Sequence, residues 1–326
     1  MRRREFLFAG GTTIVLPFSA RAQQPAIPVV GYLSSGHAEK ASYLATEFRD
    51  GLLAATGLAE GKNVAFEYRY ANQDPNRLPA LALDLVALRV SVVGVVGYAA
   101  LHAMRAATQT IPIVAIDMET DPIEVGLAVS LPHPGGNVTG VFSAYPELAA
   151  KWLELLKEAS ERLARVAVLF DPSSRFLPER KVVEDASSRL KISVEFIEVR
   201  TAFDIDRAFD TAVQHDAGAV LMLSTPLFFA IEKRAAELAV QHKLPAFFWE
   251  SGFARAGGLM SYGVNMPNTF RKIGVMAGKV LQGAKPADLA IERPSKFELI
   301  INLKTAKAIG LAIPDKMIAL ADEVIE

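Results

Sequence analysis

Six short stretches of this chain place hydroxyls, glycines and carboxylates where they could hold a small molecule. Ser34-Ser35-Gly36-His37, Gly97-Tyr98-Ala99-Ala100 and Asp121-Pro122 lie in the first half. Asp171-Pro172-Ser173-Ser174, Ser224-Thr225-Pro226 and Trp249-Glu250-Ser251 lie in the second. Backbone N–H and hydroxyl groups suit an anion, a carboxylate suits an ammonium, and an aromatic ring walls apolar surface. The candidate ligand-binding residues are Ser34, Ser35, His37, Gly97, Tyr98, Ala99, Asp121, Ser173, Ser174, Thr225, Phe228, Trp249 and Glu250. Each has a structural role open to it as well. Ser, Thr and His at such points cap helices, and Phe228 and Trp249 could equally fill a core.

The motifs of catalysis are missing. There is no nucleophile elbow, no phosphate loop and no dinucleotide fingerprint, and Gly31 to Gly36 lacks the required spacing. His37, His102, His133, His215 and His242 are scattered without metal-ligand spacing. With no cysteine in the chain, disulfides, thiolate catalysis and a lipoprotein anchor are excluded. No catalytic residue, cofactor or metal is therefore expected.

These loops need a frame, and the frame reads as alternating β-rich runs and longer amphipathic stretches, the pattern of parallel α/β architecture. Strands are expected at Pro28–Leu33, Asn63–Tyr70, Ser91–Val96 and Ile111–Ile116, then at Arg165–Phe170, Ser193–Val199, Ala219–Leu223 and Pro245–Trp249. Runs such as Val92-Val93-Gly94-Val95-Val96 belong inside a covered sheet. In Asn63–Tyr70 the aromatic residues alternate with Glu67 and Arg69, as in a strand nearer an edge. Helical stripes run through Leu78, Leu81, Leu85 and Leu88, and through Trp152, Leu155 and Leu156. The two series imply two Rossmann-like lobes, each a mostly parallel sheet flanked by helices. In each, the loops above sit at the carboxyl ends of the strands, where open sheets bind ligands. The first lobe is expected to end near Leu131–Val141, with Leu131 to Asn137 as a connection between lobes or a loop at their junction and Asn137-Val138-Thr139 as a turn. Ser261-Tyr262-Gly263 and Pro294–Asn302 are expected as later crossings. An N-terminal lobe of 27–141 plus about 264–296 then faces a C-terminal lobe of 142–263 plus about 297–326, across a multi-crossover hinge.

The N-terminus points to export. Arg3-Arg4-Glu5-Phe6-Leu7 reads as a twin-arginine motif, followed by a short apolar run and Ala20-Arg21-Ala22. Cleavage is expected after about Ala22. Losing residues 1–22 removes four arginines and one glutamate, which takes the formal charge from −1 to −4. A mildly acidic chain with no basic stripe is a poor match for nucleic acid. A soluble, unanchored and monomeric periplasmic protein is expected.

Several runs are similar to the ABC-transporter substrate-binding proteins of the tryptophan/tyrosine-type group. They are Gly57-Leu58-Ala59-Glu60-Gly61-Lys62-Asn63, Thr110-Ile111-Pro112-Ile113-Val114 and Pro132-His133-Pro134-Gly135-Gly136-Asn137-Val138-Thr139-Gly140. Others are Leu148 to Glu158, Gly257 to Gly263 and Lys296 to Lys307. The resemblance covers essentially all of the chain after the signal. It implies a type I periplasmic binding fold, hinge closure on a small solute, and delivery to an ABC permease and its ATPase. Aromatic amino acids or related carboxylates become the leading ligands. Tyr98 stands where the family commonly has a small hydroxyl residue, and Thr120 where it has Gly. A carboxylate would then sit near Ser34, Ser35 and Tyr98, with an ammonium on Asp121 or Glu250. Two other readings use the same scaffold: an exported enzyme with Asp121 and Glu250 as its carboxylates, and a ligand sensor for a membrane kinase.

Overall fold

The computed structural model describes residues 27–117, 120–143, 148–172, 177–294 and 296–326. The export signal and the candidates Ser173 and Ser174 lie outside the described residues.

The N-terminal lobe winds through β1 (Val29–Ser34), α1 (Ala38–Thr56), β2 (Ala65–Tyr70), α2 (Leu78–Ala87), β3 (Val92–Val96), α3 (Tyr98–Ala107), β4 (Ile113–Asp117) and β5 (Val138–Phe142). Its strands form one parallel sheet in the order β2-β1-β3-β4-β5. The β-branched run of β3 is buried, as a central strand requires. At the edge, every residue of β2 is half-buried, and Arg69 reaches out to Asp84 at 2.6 Å.

The C-terminal lobe repeats the scheme with α4 (Leu148–Ala159), β6 (Arg165–Phe170), α5 (Leu177–Leu190), β7 (Ser193–Glu198), α6 (Ile205–Gln214), β8 (Ala219–Met222), α7 (Pro226–Gln241), β9 (Ala246–Phe248), α8 (Ser251–Arg255) and β10 (Met260–Val264). The chain then returns to the first lobe as α9 (Met266–Leu281). It crosses back to add β11 (Phe297–Asn302), α10 (Leu303–Ile309), α11 (Asp315–Leu320) and β12 (Glu323–Ile325). The second sheet runs β12-β11-β10-β9-β8-β6-β7, with β11 antiparallel to β10.

The return of α9 rests on glycine. A Cβ on Gly51 of α1 would lie 2.1 Å from the Arg271 carbonyl oxygen, and one on Gly274 would lie 2.0 Å from that of Phe48. The two helices meet backbone to backbone, which fixes a late segment of sequence onto the first lobe.

Three expectations need correction. Val138–Phe142 is a fully buried strand, so Val138 and Thr139 of the expected turn are extended. Gly140 permits this, because its φ of 140° and its approach to β4 leave no room for a side chain. The same run makes a seam. Thr139 Oγ1 donates to the Leu289 carbonyl at 2.8 Å, and the Glu292 N–H donates to that of Gly140 at 2.9 Å. Second, Ser261–Gly263 and most of Pro294–Asn302 are strands, and the crossings flank them. Third, Leu88 ends its helical stripe 42% exposed, outside the core.

Candidate functional site

Both sheets share the order second-first-third, so each has a switch point between its first and third strands, where a crevice opens beyond the strand ends. In the N-terminal lobe the loops after β1 and β3 flank that point. A cavity of about 110 Å³ lies there, closed from the other side by the C-terminal lobe.

The first wall is polar at its base. Ser34 ends β1, and its Oγ accepts the Gly36 N–H at 3.1 Å, turning the chain towards α1. His37 occupies the N-cap of α1 but its side chain makes no capping bond, and the ring lines the cavity. The loop after β2 is zipped onto this turn: the Gln73 N–H donates to the Ser35 carbonyl at 2.8 Å, and that of Asn72 to the Gly36 carbonyl at 3.1 Å. Asn72 and Gln73 both take left-handed φ, 55° and 62°, which swings Gln73 into the cavity wall. Gly97 begins α3 at φ 88° and ψ 153°, a conformation reserved for glycine. A Cβ there would lie 3.4 Å from Ser35 Oγ. Tyr32 faces the same space two residues before Ser34, its phenol fully buried. Burial, then Tyr70 and Tyr68, push its hydroxyl well above the usual phenol range, so it stays protonated.

The second wall is apolar. Phe229 and Ala230 of α7 and Trp249 after β9 supply most of it, and Ser224 and Thr225 reach its edge. Thr225 Oγ1 is occupied as the N-cap of α7, accepting the Phe228 N–H at 3.2 Å. The Trp249 ring is 6% exposed and stands edge-on to Phe248 at 5.7 Å. Met266 and Phe270 from the first turns of α9 complete the lining beside a hinge crossing.

Of the candidates read from sequence, Ser34, Ser35, His37, Gly97, Thr225 and Trp249 line this cavity. Five described candidates do not. Tyr98 and Ala99 face an outer groove between α2 and α3, because α3 turns away from the cleft immediately after Gly97. Phe228 is wholly buried against Phe248, ring centroids 6.4 Å apart, while its neighbour Phe229 takes the cavity position. Asp121 is ion-paired to Arg293 and accepts the Ile123 N–H at 2.8 Å, so it is engaged in the segment after β4. Glu250 caps α8, accepting the Gly252 N–H at 2.6 Å and the Ser251 hydroxyl at 3.2 Å. Burial raises its pKa, partly offset by hydrogen bonds that include one with Glu232. Thr120 donates to the buried Asp117 carboxylate at 2.5 Å and does not line the cavity.

Sequence reasoning missed Tyr32, Gln73, Phe229, Met266 and Phe270. Tyr32 had a signal, since it shares the pleat face of Ser34 in a two-residue alternation. Gln73 had none, because its left-handed turn depends on pairing with a distant loop. Among the described residues no group of His, Asp and Glu could hold a metal, and no helix is long and apolar enough to cross a membrane.

Residues 40–325 match the family described as ABC transporter substrate binding protein. A tyrosine-binding protein of Clostridioides difficile is 27% identical over 262 residues, covering 78% of this chain and 73% of that protein. The crystal structure of an ABC domain from Streptococcus pneumoniae in complex with L-Trp superposes with a TM-score of 0.80 at 23% identity, over 91% of this chain and 99% of that one. The ligand-free, open structure of a Clostridium difficile substrate-binding protein with adhesive properties gives 0.65 at 20% identity, over 92% and 99%. The fold is that of the type I periplasmic binding proteins.

Proposed function

The chain belongs to the ABC transporter substrate-binding protein family, and from that premise we propose that it is the extracytoplasmic receptor of an importer, closing its two lobes on a small solute. The family consists of solute-binding proteins and not of enzymes. The observation that carries this reading is the cavity at the switch point, walled by strand-end donors of one lobe and aromatic side chains of the other. A ligand touching both walls has contacts in the closed state that an open state lacks, and this differential affinity drives closure. The chain passes between the sheets after β5, between β10 and α9, and before β11, so the lobes would swing about several strands of chain at once.

Aromatic amino acids and related apolar carboxylates form the ligand class. The apolar body would lie against Phe229, Trp249, Met266 and Phe270, with the carboxylate on the Ser35 and Gly97 side, at the N-terminal end of α3. The relatives named for tyrosine and L-Trp support that class. A twin-arginine signal cleaved after about Ala22 would deliver a monomeric, unanchored protein to the periplasm, where it would meet its permease and ATPase.

A thermal-shift screen of amino acids, aromatic acids, short peptides and sugars tests the reading. A ligand at 100 times its Kd adds about 2.7 kcal/mol to a folded protein, so a true solute raises Tm by several degrees. If nothing in the screen stabilises the protein and native mass spectrometry finds no co-purified small molecule, the receptor reading fails.

A further inference from the structure

Three side-chain polar atoms in the cavity wall are buried without a hydrogen-bond partner: the Tyr32 hydroxyl, Ser35 Oγ and Trp249 Nε1. Tyr32 is fully buried and Trp249 is 6% exposed, so bulk water does not serve either atom. Buried polar groups are nearly always paired, and three exceptions among the residues lining one space call for an explanation, which a ligand in that space would supply. Each of the three has a hydrogen to donate, although the two hydroxyls can also accept. An indole N–H can only donate. The Tyr32 phenol is held protonated and has an O–H to give. Ser35 lies beside Gly97, the N-cap of the ten-residue α3, so the positive end of that helix meets the same end of the cavity.

Two hydroxyl oxygens of the wall already accept a backbone N–H each. Ser34 Oγ takes the Gly36 N–H, and Thr225 Oγ1 takes that of Phe228. Among the described lining residues there is no aspartate or glutamate. The two carboxylates that sequence offered to an ammonium are engaged elsewhere, Asp121 by Arg293 and Glu250 by Gly252 and Ser251. A zwitterionic amino acid would bring three ammonium donors into a site already rich in donors, and dehydrate them there.

Building on the solute-receptor reading, we propose that the cavity selects an apolar carboxylate that carries a second oxygen acceptor and no ammonium, the class of aryl or branched 2-oxo and hydroxy acids. Ser35 and the start of α3 hold the carboxylate. Trp249 Nε1, on the opposite lobe, donates to the second oxygen, so its bond forms only when the lobes meet. Tyr32 is a further donor to the ligand's oxygens, and Phe229, Met266 and Phe270 enclose the apolar body.

Calorimetric titration of the purified protein with matched pairs tests this. The pairs are phenylalanine with phenylpyruvate and tyrosine with 4-hydroxyphenylpyruvate, with 3-phenylpropionate as the acid lacking the second oxygen. The oxo acid of each pair is expected to bind at least tenfold more tightly than its amino acid. Trp249→Phe should weaken phenylpyruvate about tenfold and 3-phenylpropionate less than threefold, whereas Ser35→Ala should weaken both alike. If Trp249→Phe does not fold, Tyr32→Phe takes its place, with a loss of about tenfold expected for phenylpyruvate. The wild-type pairs need no variant. An amino acid that binds more tightly than its oxo acid overturns the proposal and leaves the receptor reading standing. Equal losses for phenylpyruvate and 3-phenylpropionate in Trp249→Phe overturn the role of its N–H. Heat from no member of any pair overturns the proposal, and the receptor reading falls with it only if the wider solute screen is silent too.

Discussion

The two walls of the cavity are built by opposite means. On the N-terminal lobe the chain brings its backbone close, through strand ends, a glycine at φ 88° and two consecutive left-handed residues, with side chains such as Tyr32 beside them. On the C-terminal lobe side chains do the work, chiefly Phe229, Ala230 and Trp249. Backbone sites are rigid and indifferent to substitution outside their glycines. Side-chain sites change with one residue. A receptor made this way keeps a fixed anchor for the shared part of its ligands on one lobe and sets the rest of its specificity on the other.

The sharpest break in that comparison is between two neighbouring rings. Phe228 is core and Phe229 is cavity. Phe228→Ala should cost about 3–5 kcal/mol of stability, seen as a much lower Tm, with affinity kept in the protein that still folds. Phe229→Ala should reverse the pattern, leaving Tm nearly unchanged and weakening the ligand roughly tenfold, as a loss of about 1.4 kcal/mol would do. Equal effects on both readouts would mean that the second wall has been misassigned.

Gly97→Ala attacks the first wall. Its strained φ costs about 1–3 kcal/mol, and the new Cβ would come into contact with Ser35 Oγ at 3.4 Å. Affinity should fall roughly tenfold to a hundredfold, measured by calorimetry, with all carboxylates affected in proportion. A loss confined to one ligand would contradict a backbone anchor.

Glu250 gives a pH test just behind the second wall. Burial raises its pKa above the ordinary 4.5. Its contribution to stability is therefore complete below the unfolded value and is lost as pH rises through the folded one. Glu250→Gln keeps an acceptor for the Gly252 N–H and cannot ionise. The fall in Tm between pH 5 and pH 8 should be shallower in this variant by roughly 2–4 °C, and a steeper fall would contradict the burial argument. The smallest expected effect belongs to Asp121→Ala. Its partner is Arg293 and both side chains are partly exposed, so affinity should stay within about twofold and stability fall by about 1 kcal/mol or less. A tenfold loss of affinity would restore Asp121 to the site.

The distribution of these residues shows what the sequence discloses. Val92–Val96 and Arg165–Phe170 are visible because apolar β-branched runs suit only the middle of covered sheets. The strand-end rule then picks out Ser34, Ser35, Gly97 and Thr225. Val138–Phe142 was hidden by the Pro, Gly and Asn residues before it, since an edge strand held by a segment about 150 residues later leaves no local period. Phe228 and Phe229 differ only in helical phase, which a pair of adjacent aromatics cannot reveal. Asp121 and Glu250 sit at strand–helix junctions, as ligand groups do, and their capping and pairing bonds become visible only in three dimensions.

The central claim is that one ligand is held by both walls at once. A crystal structure of the protein grown with phenylpyruvate tests it most directly. The account predicts density in the cavity, with the carboxylate on Ser35 and the start of α3 and a second oxygen within hydrogen-bonding distance of Trp249 Nε1. Density in the outer groove between α2 and α3, or against one lobe only, would contradict it.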